Sequence, residues 1–190
     1  FEEDGLLLVD MITYPDSSVV EELYLDKLRS NDPTYAHGTL HRAQIPVNGS
    51  GEVKMTELCE DKIELPRINY VRYNGKPYRI VYGAGSTKDG DWLDNITRVD
   101  LKTGTSQTWF EKHCYPSEPV FALKPGAKNE DEGVLLSMVL DSDAKNTFLL
   151  ILDARDLREI ARATVPEILP FSFHGNFFSA HQRGSLPGES

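Results

Sequence analysis

Three side chains in this sequence have the type and setting to do chemistry. His174 lies in Pro170-Phe171-Ser172-Phe173-His174-Gly175-Asn176-Phe177-Phe178, among phenylalanines and beside a glycine. An imidazole in so apolar a stretch needs a partner for each ring nitrogen, because burying an unpaired polar atom is costly. Two readings are open: a core histidine satisfied by its neighbours, or a metal ligand whose apolar surroundings keep water away. Glu64 stands in Ile63-Glu64-Leu65-Pro66-Arg67-Ile68-Asn69-Tyr70, and Glu118 in Tyr115-Pro116-Ser117-Glu118-Pro119-Val120-Phe121. A carboxylate held among prolines and apolar residues must find a donor. A metal-bound histidine N–H is one such donor; a backbone amide or an arginine is the alternative.

The remaining chemistry-bearing residues read more plainly. His37 and His41 have i,i+4 spacing but straddle Gly38 in a polar stretch, which reads as a solvated pair. His181 falls in the Gly/Ser/Pro-rich stretch 179–190, which reads as disordered. Gly83-Ala84-Gly85-Ser86-Thr87-Lys88 has the flavour of a phosphate loop, but it lacks the final glycine and leads into Asp89-Gly90-Asp91, so a strand-end turn is expected. Asp89, Asp91 and Asp94 miss a calcium-loop spacing. Neither a G-x-S-x-G elbow nor an H-E-x-x-H helix occurs.

The elements that must position these residues are strands. Gly133 to Leu140 and Phe148 to Leu152 are apolar runs joined by the polar turn 141–146. Tyr78 to Tyr82 and Ile96 to Leu101 read as strands, and Lys102-Thr103-Gly104 turns the chain into Ser106 to Phe110, with glycine where a positive φ is needed. Arg98-Val99-Asp100-Leu101-Lys102-Thr103 echoes Ile151-Leu152-Asp153-Ala154-Arg155-Asp156, and Asp4-Gly5-Leu6-Leu7-Leu8-Val9 echoes Glu132-Gly133-Val134-Leu135-Leu136-Ser137. Short antiparallel strands repeating at roughly 50 residues are the signature of propeller blades. At that length 190 residues hold at most about four blades, and a polar, irregular stretch near 30–60 leaves three, too few to close a ring. One helix is expected, with Ser18-Val19-Val20-Glu21 as a capping box and Val20, Leu23, Tyr24 and Leu28 on one face. A further helical turn at Asp156-Leu157-Arg158-Glu159 competes with a strand over Ile160 to Val165.

Composition bounds the function classes. Lys+Arg 20 against Asp+Glu 30 gives −10, which argues against binding to nucleic acid or an anionic membrane through basic charge. A hydrophobic fraction of 39% suffices for a globular core. No stretch approaches the roughly 20 apolar residues of a membrane span. Cys59 and Cys114 form neither a disulfide framework nor a C-x-x-C pair, which fits a reduced, intracellular setting. The chain opens with Phe1-Glu2-Glu3-Asp4-Gly5 and runs at once into Leu6-Leu7-Leu8-Val9, as a portion of a longer chain would.

Taken in order, several segments resemble the carotenoid cleavage oxygenase family, which includes the animal β-carotene oxygenases and the retinoid isomerohydrolase. They are Glu64 to Tyr70 with Gly75-Lys76-Pro77-Tyr78, then Tyr115 to Phe121, Glu130 to Ser137, Phe148 to Ala154, and Ala161-Arg162-Ala163 leading to Phe173-His174-Gly175. The resemblance runs from Phe1 to about Phe178. It implies an all-β chain forming the C-terminal blades of a seven-bladed β-propeller, with 179–190 as a tail. It also implies one Fe(II) held by four histidines, several of them hydrogen-bonded to glutamates. His174 matches one ligand; Glu64 and Glu118 match two of those glutamates, with Glu118 expected to orient His174 and Glu64 a histidine outside this chain. The implied reaction is dioxygenation of a carotenoid or apocarotenoid double bond by O2, and retinoid isomerohydrolysis or a non-catalytic truncated chain are the alternatives. No nucleic-acid partner is implied, a membrane-associating surface would lie in parts outside this chain, and the compartment would be cytoplasmic or mitochondrial. Asn176 departs from the family pattern, where threonine or leucine is common, and is expected to affect packing rather than ligation.

Overall fold

A computed structural model describes residues 1–30, 35–87 and 92–179. Three antiparallel sheets follow one another along the chain. The first contains β1 (Glu2–Glu3), β2 (Leu6–Thr13), β3 (Thr39–Pro46) and β4 (Lys54–Lys62), in that spatial order. Two short helices, α1 (Ser18–Glu22) and α2 (Leu25–Leu28), lie between β2 and β3. The second sheet contains β5 (Glu64–Arg67), β6 (Ile80–Gly85), β7 (Asn95–Asp100) and β8 (Thr105–Phe110), with helix α3 (Tyr70–Tyr73) between its first two strands. The third contains β9 (Cys114–Pro116), β10 (Val120–Leu123), β11 (Gly133–Asp141), β12 (Asn146–Asp153) and β13 (Glu159–Val165), with β9 and β10 both on β11. These are three consecutive propeller blades, as the blade arithmetic predicts.

The blades pack face to face. Leu40 and Cys59 of the first meet Ile63, Val81 and Val99 of the second. Ile80, Tyr82 and Ile96 of the second meet Leu135, Val139, Leu150 and Leu152 of the third. β11 and β12 were visible as runs because their half-buried alternate positions, Leu136, Met138, Leu149 and Ile151, are apolar as well as the buried ones. Polar ties reinforce the seam between the second and third blades. The Glu130 carboxylate accepts the backbone N–H groups of Arg79 at 2.9 Å and Ile80 at 2.8 Å, and Asp131 pairs with Arg98 at 2.9 Å. Glu130 and Asp131 therefore clamp one blade to the next, while Glu132 ties its own loop through Lys128 and Asn129.

The sequence echo is structural. Asp100 and Asp153 end the third strands of their sheets, and each accepts a backbone N–H two residues on, from Lys102 and Arg155, both at 3.0 Å. Likewise Leu6 is the first residue of β2 and Val134 the second of β11, the second strands of theirs.

Several expectations need correction. The stretch 30–60 is not irregular: it contains β3 and β4, which complete the first blade. β4 lies at the outer edge and exposes most of its residues, so no apolar alternation marked it. The expected single helix is two, because Tyr24 at φ −67°, ψ 142° is extended and breaks it. The capping box is absent: Ser17 caps without a side-chain hydrogen bond, and Asp16 Oδ1 instead accepts Ser18 N–H at 2.8 Å. The buried face is also different, since Val19 and Leu23 pack on Tyr35, Ala84 and Leu93 while Val20 and Tyr24 face solvent. At Asp156 to Glu159 the strand prevails, with Leu157 at φ +57° turning the chain into β13. A further helix, α3, is present at Tyr70–Tyr73.

Candidate metal-ligand site

Glu118 sits in the connection between β9 and β10, where the flanking Pro116 and Pro119 restrict the backbone. It is 5% exposed. Its Oε1 lies 3.3 Å from His174 Nδ1, and its Oε2 accepts Gly175 N–H at 3.0 Å. One carboxylate therefore holds both the imidazole and the backbone that carries it. The contact assigns the roles of the ring nitrogens: a proton on Nδ1, given to the carboxylate, leaves the Nε2 lone pair to face outward.

His174 is not a core histidine. Its side chain is 76% exposed. Phe171, Phe173, Phe177 and Phe178 are exposed as well, so within this chain they do not shut water away from the imidazole. The reason is local: residues 166–179 run past β13 without a strand partner and are held to the sheets by side-chain contacts. Leu169 N–H donates to Thr147 Oγ1 at 2.9 Å, and the Phe171 ring packs on Trp92 and Tyr115.

Glu64 is also buried, at 6% exposure, at the start of β5. Its Oε1 accepts Gly38 N–H at 2.7 Å and its Oε2 accepts the Tyr14 hydroxyl. Burial pushes its carboxyl above the ordinary glutamate range, against the pull of those two donors. Glu64 thus has the backbone-and-hydroxyl partners of the plainer reading.

A bulge arranges β5. Glu64 lies opposite Ala84 and Arg67 opposite Tyr82, so β5 spends one residue more than β6, and Leu65 takes φ +50°. Ala84 and Tyr82 are two apart and share a face, so the bulge gives Glu64 and Arg67 a common face although they are three apart. Gly83 opposite the bulge must lack a side chain, because a Cβ there would fall 2.6 Å from the Glu64 carbonyl oxygen.

The other histidines are placed differently from expectation. His37 and His41 are not a solvated pair. The ring nitrogens of His37 are shielded from solvent, and its ring meets Tyr35 edge-on at 5.4 Å. His41 is on β3, with Nδ1 2.9 Å from Thr13 Oγ1. His113 lies 3.6 Å from Asp143 at the surface. His181 and the tail from 180 onward lie outside the described residues, as do Asp89 and Asp91. Among the described residues no group of three or more His, Cys, Asp or Glu side chains converges as a metal site. A cavity of about 330 Å³ between β2 and the β5–α3 segment, lined by Leu8, Asp10, Leu40, Ile68, Tyr78 and Val81, contains none of the three candidate residues. No helix of the described residues is long and apolar enough to cross a membrane.

Arg67 and Gly38 stand in segments that the sequence singled out for other reasons, and nothing in the sequence pointed to Tyr14. Arg67 was legible in part: it stands in the same short segment as Glu64. Tyr14 and Gly38 reach Glu64 from 50 and 26 residues away, and nothing local announces such pairings.

Comparison with known proteins gives a consistent picture. Residues 1–179 match the family described as retinal pigment epithelial membrane protein. A carotenoid isomerooxygenase of Galleria mellonella is 38% identical over 93% of this chain and 37% of its own length. The β,β-carotene 15,15'-dioxygenase of Mus musculus is 37% identical over 93% of this chain and 36% of its own. Among solved structures, the cobalt-substituted apocarotenoid oxygenase of Synechocystis superposes with a TM-score of 0.80 at 28% identity, over 92% of this chain and 37% of that one. The chain thus spans little more than a third of the relatives it matches. With the blade order, the Glu118–His174 contact and a family match over residues 1–179, this chain belongs to the retinal pigment epithelial membrane protein family, the carotenoid oxygenases.

Proposed function

We propose that this chain supplies three blades and one metal-ligating histidine, His174, to an Fe(II) dioxygenase that cleaves a polyene double bond of a carotenoid or apocarotenoid with O2, giving two carbonyl products. The observation that carries the reading is the Glu118–His174 pair: a buried carboxylate on Nδ1 of an imidazole whose Nε2 is left available. Metal-ligating histidines are held in this way, with the second ring nitrogen on a carboxylate that fixes tautomer and orientation. The residues present therefore fit one corner of an iron site, and the other ligands belong to sequence beyond these blades.

Iron, when bound, supplies the redox chemistry that dioxygen addition to a double bond needs. The chain's own residues hold and aim. Glu118 keeps the proton on His174 Nδ1, and the Gly175 N–H fixes the carboxylate in turn. Glu64, locked by Gly38 and Tyr14, is a second buried carboxylate prepared for a histidine supplied by the rest of the protein. Both cysteines are free and buried, which fits a reduced compartment, cytoplasmic or mitochondrial. Isomerisation of a retinyl ester without oxygen consumption is the second reading within the family; the oxygenase names of relatives matched over 93% of the chain favour the first.

The test uses the full-length protein. His174→Ala is expected to lose bound iron and cleavage activity, and Glu118→Gln to weaken metal affinity by about 10–100-fold. Full iron content with an unchanged cleavage rate in His174→Ala refutes the assignment.

A further inference from the structure

The residue after His174 is gripped at both of its backbone polar groups. Glu118 takes the Gly175 N–H at 3.0 Å, and Arg67 Nη2 donates to the Gly175 carbonyl oxygen at 2.7 Å. The same Nη2 also reaches Asn176 Oδ1 at 3.1 Å, and Arg67 Nε lies 3.6 Å from Glu118 Oε1, the oxygen that faces His174. The guanidinium carbon stands 5.5 Å from the centre of the Tyr70 ring, which supports it from α3. Asn176, expected to matter only for packing, is therefore part of this contact.

This grip has mechanical weight because residues 166–179 belong to no strand. A histidine on a strand is oriented by its ladder; one on an unpaired segment is oriented only by the contacts made to that segment. The two hydrogen bonds at Gly175 come from different blades, Arg67 from β5 of the second and Glu118 from the β9–β10 connection of the third. Guanidinium also places a permanent positive charge beside a buried carboxylate, offsetting the cost of burying it.

We propose that Arg67 is a positioning residue for His174: it anchors the Gly175 carbonyl and pairs with Glu118, so that the seam between two blades sets the imidazole's direction. The inference rests on the reading of His174 as a metal ligand. A planar fork with several donors can make the carbonyl, amide and carboxylate contacts together, whereas a lysine ammonium is a point charge at the end of a flexible stem.

The experiment measures Co(II) affinity of the full-length protein by chelator competition, the ligand-field spectrum of the Co(II) form, and thermal unfolding of the metal-free form. Arg67→Met, which keeps length and removes every donor, is expected to raise the Co(II) dissociation constant by about 10–100-fold, the range typical of a lost supporting contact, and to shift the ligand-field bands. Arg67→Lys is expected to fall between Arg67→Met and the parent in both. Tyr70→Leu, which removes the supporting ring and keeps the donors, is expected to retain the parent's spectrum. Should Arg67→Met fail to fold, Arg67→Lys decides: a several-fold rise in the dissociation constant supports the proposal, and a parent-like value overturns it. A lowered melting temperature in Arg67→Met with unchanged affinity and spectrum also overturns it, because a purely structural arginine behaves that way. His174→Ala separates the two levels. If it binds Co(II) as the parent does, the ligand assignment fails; if it loses Co(II) while Arg67→Met does not weaken binding, only the positioning role fails.

Discussion

Gly38 is where a single methyl group should disturb the Glu64 site, and its cost follows from the geometry. Gly38 donates to Glu64 Oε1 at 2.7 Å, and its carbonyl accepts Ile63 N–H at 3.3 Å. A Cβ at this position would lie 2.0 Å from Ile12 Cγ2 and 2.8 Å from Glu64 Oε1. Carbon atoms pack at about 3.5–4.0 Å, so Ile12 must rotate or the segment must move. Gly38 is not among the residues at positive φ, so alanine suits the backbone and by itself would stabilise by about 0.4–1 kcal/mol through the unfolded state. Overpacking costs about 1–3 kcal/mol and outweighs that gain. Gly38→Ala is therefore expected to destabilise by about 1–2 kcal/mol, each kcal/mol lowering Tm by about 2–4 °C at this chain length. The assay is urea unfolding of Gly38→Ala, Ile12→Ala and the double variant. Ile12→Ala removes the clashing Cγ2, so the double variant should be less destabilised than the sum by about 1 kcal/mol. A Gly38→Ala protein as stable as the parent, or a strictly additive cycle, would show that the glycine is not required for close approach.

Two further outcomes are expected. Burial pushes the Cys59 thiol up to about 11 and the Cys114 thiol up to about 12, so neither should react with a thiol reagent at pH 8 in the folded protein, while both react in denaturant; rapid native labelling of either contradicts this. The carboxyl of Asp153 is held down at about 2, chiefly by the Arg155 side chain that hydrogen-bonds it. A depressed carboxyl stabilises the fold above its unfolded value, near 3.9, and that contribution disappears as pH falls toward 2. Acid titration of stability should therefore be shallower between about pH 4 and 2 in Asp153→Asn than in the parent; parallel profiles contradict this, and the effect is modest because Arg155 is well exposed.

The sequence by itself marked the candidate residues of the site and the inner strands of the blades. β11 and β12 bury Leu135, Val139, Leu150 and Leu152 against the second blade and carry apolar, half-buried residues at the alternate positions, so their run was unmistakable. Glu118 between two prolines and His174 beside a glycine announced a fixed carboxylate and an imidazole, and the structure brings those two into contact across 56 residues. Asp100 and Asp153 announced a repeated turn because each turn needs its own acceptor two residues before the donor.

Tertiary structure alone decided the rest, and the reason is the same in each case: pairing between distant segments leaves no local mark. β4 was invisible because an outer-edge strand need not be apolar. Val20 and Tyr24 looked like a buried face, but the neighbours available in space, Tyr35 and Leu93, take Val19 and Leu23 instead. The exposure of His174 depended on whether residues 166–179 find a strand partner, and they do not. The bulge at Leu65 exists only as a mismatch of register between β5 and β6. That one extra residue is what turns Arg67 to the face of Glu64, where it reaches Gly175 from 108 residues away.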